Sequence, residues 1–141
     1  MIVLDTGGLL AALDANEPLH QGCAGALTRA RGPLLLSPFV LAELDYLVGK
    51  RVGRVAQAAV LDEVARGAYR LEPFGPDDVA AAIELMALYP GLDLGIADAS
   101  VALLANRHRI RDILTTDLRH FRVLLAWDRA PFRLLPTDAH A

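Results

Sequence analysis

Cysteine is almost missing: Cys23 is the only one in 141 residues. No internal disulfide can form, so the chain must be held by its core, and a reducing cytoplasm is the expected compartment. Lysine is equally scarce, with Lys50 alone among 14 basic residues and arginine supplying the rest. The formal net charge of −3 excludes a protein whose whole surface grips nucleic acid. No apolar run reaches the roughly 18 residues that a membrane helix needs, so no membrane partner is expected. The opening "MIVLDTGG" has an acid after its apolar start and no basic segment, unlike a secretory signal. Nucleophile-elbow, Walker and dinucleotide-binding glycine motifs are absent, and the histidines show no zinc spacing with cysteine or with one another.

What is present is a hydrophobic fraction of 54%, above the usual ~45–50%, in a length that suits one folded domain over residues 1–141. Short apolar runs without polar alternation, Ile2–Asp5 and Leu34–Ser37, read as strands covered on both faces, and Ala68–Phe74, Asp112–Asp117 and Pro131–Pro136 read as further strands. Helical stretches separate them. Gly7 and Gly8 would turn the chain into "LLAALD". "HQGCAGALTRAR" and "RVAQAAVLDEVARG" follow the same logic, and Cys23 reads as a small core residue. "PFVLAELDYLVGK" has Ser37 as cap and Pro38 in its first turn. "GPDDVAAAIELMALY" has Asp77 and Asp78 at its positive end. "LGIADASVALLANRH" has Asp93 as the expected cap. Strands alternating with helices predict an α/β fold with a mainly parallel sheet, whose ligand crevice lies outside the C-terminal strand ends.

Four acids stand out against this frame. Asp5 ends the first strand and Asp117 the strand "ILTT". Asp98 sits in an apolar helix, with Leu94, Gly95, Val101 and Ala102 at helical spacing and no basic partner among them. Glu43 is flanked in the same way by Phe39, Val40, Tyr46 and Leu47. Burying one such charge unpaired costs several kcal/mol, roughly, and gathering four raises their pKa values unless a cation joins them. A hard divalent ion resolves the conflict: Mg²⁺ takes oxygen ligands, one or two carboxylates directly and others through water, and suits phosphate chemistry. Asp5 and Asp117 also have a simpler reading as helix or turn caps. Asp62, Glu63, Asp77, Asp78 and Glu84 read as solvated or helix-start acids. Arg107, Arg109, Arg111, Arg119 and Arg122 crowd the region that follows.

These four stretches resemble the four motifs of the PIN domain family, and in particular its VapC-type ribonuclease toxins: "IVLDTGGLLAAL" with Asp5, "LSPFVLAEL" with Glu43, "DLGIADASVALLA" with Asp98, and "ILTTDLRHF" with Asp117 behind Thr115. The resemblance covers essentially the whole chain. It implies a three-layer α/β/α sandwich and a Mg²⁺-dependent endoribonuclease, with Mn²⁺ as substitute, acting on structured RNA as the toxin of a type II toxin–antitoxin pair. Asp5 and Asp98 would be metal ligands, with Glu43 and Asp117 completing the site directly or through water. Arg107, Arg119 and Arg122 would hold RNA phosphates. A homodimer and a cognate antitoxin would be the partners. One position departs from the pattern: the family has Ser or Asn two residues after the first acid, and here Gly7 stands there. Two alternatives stay open, a catalytically weak binding module that keeps the fold and a metal-dependent nuclease for another nucleic acid.

Overall fold

Three-residue apolar runs form the strands, and their side chains explain why. Val3, Leu4, Leu35, Leu36, Ile113, Leu114 and Leu134 have no exposed surface, as strands covered on both faces require. The computed structural model describes residues 1–139. In chain order the elements are β1 (Ile2–Leu4), α1 (Thr6–Leu13), α2 (His20–Arg29), β2 (Leu34–Leu36), α3 (Pro38–Arg51), α4 (Arg54–Ala65), β3 (Arg70–Leu71), α5 (Pro76–Leu88), a 3₁₀ turn (Pro90–Leu92), α6 (Ile96–His108), β4 (Asp112–Leu114), α7 (Leu118–Phe121) and β5 (Arg133–Leu135). The five strands form one sheet in the order β3-β2-β1-β4-β5, every pairing parallel. Helices cover it in a three-layer α/β/α sandwich, with α1 packed on α2 and α3, α3 on α4, and α5 on α6. The order reverses between β1 and β4, so the crevice of this sheet opens where those two strands end.

Several expected boundaries shift for local reasons. The third strand shortens to Arg70–Leu71, an exposed edge that Pro73 cannot extend because it has no N–H to donate. Gly7 and Gly8 make no turn. Both lie inside α1, which starts at Thr6, directly after β1 and Asp5. Gly8 serves a close approach instead: a Cβ there would stand 2.4 Å from the Leu114 carbonyl oxygen and 2.8 Å from the Thr115 nitrogen. Helix α1 thus lies against the backbone at the end of β4, where only hydrogen fits. Asp93 caps nothing in α6; it sits in left-handed conformation after the 3₁₀ turn, and Gly95 holds the cap position.

Ser37 and Pro38 behave as their types suggest, and Ser37 Oγ accepts from the Phe39 N–H at 3.1 Å. The same hydroxyl has a second task. Ser100 Oγ donates to the Ala97 carbonyl at 2.7 Å, so the 2.6 Å contact between Ser37 and Ser100 is made by the Ser37 proton. Both serines are fully buried, and this chain of bonds ties the start of α3 to the first turns of α6. No helix among the described residues is long and apolar enough to cross a membrane.

Candidate metal centre

Asp5 leaves β1 at the switch point and occupies the N-cap position of α1, yet its side chain makes no cap bond. Its Oδ2 instead accepts from Thr115 Oγ1 at 2.7 Å, and Thr115 Oγ1 accepts in turn from the Asp117 N–H at 2.9 Å. Asp5 is 5% exposed. Burial pushes its carboxyl up to about 6; the Asp98 and Asp117 charges push the same way, and the bonds from Thr115 and the Thr6 N–H offset part of this.

Asp98 is the third residue of α6, and its position answers the problem its sequence poses. No neighbour on its own helix pairs with it, but its Oδ2 accepts from the Gly95 N–H at 3.1 Å, satisfying the free backbone donor at the start of α6. Its side chain keeps 23% of its surface, so it lines a crevice and is not entombed. Its carboxyl is nonetheless raised, by burial first and by the charges of Asp117 and Glu43, against the Gly95 bond and the His120 imidazole.

Asp117 acts as the cap that one of its readings expected: its Oδ1 accepts from the His120 N–H at 3.1 Å at the start of α7. Glu43 departs from expectation. It is exposed on α3, as is its neighbour Tyr46, because that helix turns this face outward at the crevice rim. The link that holds it to the site is Thr6 Oγ1, which donates to Glu43 Oε1 at 2.8 Å.

The residue that the sequence did not flag is His120. Its Nδ1 lies 2.6 Å from Asp117 Oδ2 and 3.6 Å from Asp98 Oδ2, yet both ring nitrogens are buried without a hydrogen-bond partner of sound geometry. Asp98, Asp117 and His120 each offer a ligand atom, and the three atoms lie within 4.8 Å of one another. An octahedral ion with bonds of about 2.1 Å holds adjacent ligands about 3 Å apart and opposite ones about 4 Å apart, so this trio fits one divalent cation. Asp5 stands behind it with Thr115, and Glu43 at the rim. The signal was available in "DLRH": an acid and a histidine at i and i+3 share one helix face.

Of the three arginines expected to meet RNA, two are committed elsewhere. Arg107 donates to Asp78 at 2.7 Å and to the Pro73 carbonyl at 2.9 Å, tying α6 to the start of α5. Arg122 grips both oxygens of Asp138 at 2.7 and 2.6 Å and holds that carboxyl down at about 2. Arg119 is exposed on α7, two residues from Asp117, with no ion-pair partner among the described residues. Gly7 also finds an explanation. A Cβ there would meet Thr116 Oγ1 at 2.4 Å, so the Thr116 hydroxyl fills the space that a side chain at position 7 would enter.

The family profile described as PIN domain matches residues 2–124. The chain is 42% identical over 135 residues to Ribonuclease VapC26 of Mycobacterium tuberculosis, covering 96% of this chain and all of that protein. The crystal structure of VapC20 from the same organism, described as a sarcin–ricin loop cleaving toxin, superposes with a TM-score of 0.77 at 20% identity, over 83% of this chain and 90% of that one.

Proposed function

Because the chain belongs to the PIN domain family, we propose that it is a metal-dependent endoribonuclease, the toxin of a type II toxin–antitoxin pair, cleaving phosphodiester bonds in structured RNA. The observation that carries this reading is the convergence of Asp98, Asp117 and His120 beside Asp5 at the switch point of the sheet. Acids gathered there without a cation are unfavourable: burial raises the Asp5 and Asp98 carboxyls first, and the neighbouring acidic charges push both the same way.

Asp98 and Asp117 would hold Mg²⁺ or Mn²⁺, with Asp5 and Glu43 binding directly or through water. When bound, the cation would supply charge stabilisation at the phosphate and lower the pKa of a water. The chain's residues do the rest. Thr115 orients Asp5 and the Asp117 backbone together, and Thr6 steadies Glu43 at the rim. A carboxylate of the pocket takes the proton of the attacking water. Arg119, exposed beside the site, would hold an RNA phosphate near a pocket whose own charge repels it.

Tyr46 on α3 and Val55 on α4 are 57% and 87% exposed, and Ile83 and Leu88 on α5 are 64% and 73% exposed. By family analogy the partners would be a second copy of the chain and a cognate antitoxin laid along α2 and α3, with these exposed apolar side chains as candidate contacts. The test is incubation with total cellular RNA and Mg²⁺ or Mn²⁺, followed by mapping of new 5′ ends, with duplex DNA in parallel. Discrete RNA ends that vanish with EDTA are expected. Cutting that persists in EDTA, or DNA cut as readily as RNA, would overturn the proposal.

A further inference from the structure

We propose that His120 is a nitrogen ligand of the metal, and that it biases the site toward first-row transition ions over Mg²⁺. The inference rests on the reading of the carboxylate pocket as a metal site, and it goes beyond that reading by naming a ligand and a selectivity.

The imidazole is placed against carboxylates and little else: Nε2 meets no polar partner, and Nδ1 meets only Asp117 and Asp98. Both ring nitrogens are buried and neither makes a hydrogen bond of sound geometry. A core histidine normally satisfies at least one nitrogen, because an unpaired buried polar group is costly. His20 shows the ordinary solution in this same protein, with Nδ1 against the Ala11 carbonyl at 2.8 Å. His120 instead brings Nδ1 to 2.6 Å from Asp117 Oδ2 and 3.6 Å from Asp98 Oδ2, off the line of a hydrogen bond to either. Those separations bracket the roughly 3 Å between adjacent ligands of one ion.

The backbone fixes this arrangement. Asp117 Oδ1 accepts the backbone N–H of His120, so the carboxylate is held over the turn of α7 that carries the imidazole. Phe121, fully buried, anchors the same short helix in the core. The consequence is chemical. Carboxylates and water suit Mg²⁺, whereas an imidazole adds affinity for transition ions in the order Mn²⁺, Fe²⁺, Co²⁺.

The test uses Mn²⁺, Co²⁺ and Mg²⁺ as probes with the full-length protein. Electron spin-echo envelope modulation of bound Mn²⁺ in the unmodified protein is expected to show nitrogen coupling from one imidazole. Titration calorimetry of His120→Gln is expected to weaken Mn²⁺ and Co²⁺ binding about tenfold or more and to leave Mg²⁺ within a few-fold, with circular dichroism unchanged. Asp98→Asn is expected to weaken all three. Mn²⁺ bound without nitrogen coupling overturns the role of His120 alone and leaves the metal site standing. No metal bound by the unmodified protein overturns both. The spectroscopic arm needs no variant, so a misfolded His120→Gln does not shield the proposal.

Discussion

Replacing Asp5 with asparagine should stabilise the metal-free protein while destroying its metal site. The carboxyl of Asp5 rises from 3.8 to about 6 on folding, chiefly by burial and then by the charges of Asp98 and Asp117. Between these two values the native state holds a proton that the unfolded chain has released, so native stability falls as pH rises through that window. The shift is worth roughly 3 kcal/mol once Asp5 is ionised in both states, at about 1.4 kcal/mol per pH unit. Asparagine keeps an oxygen to accept from Thr115 and carries no charge to desolvate. In EDTA at pH 8, Asp5→Asn should therefore melt about 5–10 °C above the unmodified protein, taking a few degrees per kcal/mol for a domain of this size. Near pH 4 the two should nearly coincide. Mn²⁺ at 1,000 times its Kd should reverse the order, since a ligand at that excess adds about 4.1 kcal/mol to the protein that binds it. The assay is a set of melting curves across pH with and without metal. A variant no more stable than the unmodified protein in EDTA at pH 8 would refute the claim that Asp5 is a desolvated charge held for a cation.

Neighbouring glycines should respond differently to alanine. Gly8→Ala drives a Cβ into the Leu114 carbonyl and should cost about 1–3 kcal/mol by denaturant titration, whereas Gly7→Ala meets only the rotatable Thr116 hydroxyl and should stay within about 1 kcal/mol of neutral. Ser37→Ala removes the cap of α3 and the bond to Ser100 and should cost about 1–2 kcal/mol in the same assay. Arg119→Ala should weaken RNA binding and lower the slope of log K against log salt by about 0.7–1, while Arg107→Ala, whose guanidinium serves Asp78, should leave that slope unchanged.

Much of this architecture could be read in the sequence because it is written in local patterns. Apolar triplets such as those of β1 and β4 declare buried strands, and Ser37-Pro38 declares a helix start. Acids placed just past strand ends or in apolar helices then stand out, as Asp5, Asp98 and Asp117 do. What escaped depends on residues far apart in the chain. The need for glycine at position 8 comes from the backbone of Leu114, and a turn was the natural reading without it. The exposure of Glu43 depends on how α3 is rotated over its neighbours, which its mixed faces do not settle. Arg107 and Arg122 are engaged by Asp78 and Asp138, partners that only the fold brings near. His120 was hidden differently: its signal is local, an acid three residues before it, but it has no cysteine or second histidine at ligand spacing, the pattern by which metal-binding histidines stand out.

The most direct test of the central claim is the rate of RNA cleavage by the unmodified protein and by Asp98→Asn, at saturating Mn²⁺ on one defined RNA. Asparagine preserves the size of the side chain and an oxygen for the Gly95 N–H, so the fold should survive while the cation loses a charged ligand. A fall of at least about 100-fold in rate is predicted. Equal cleavage by the two proteins would contradict a metal site built on this carboxylate.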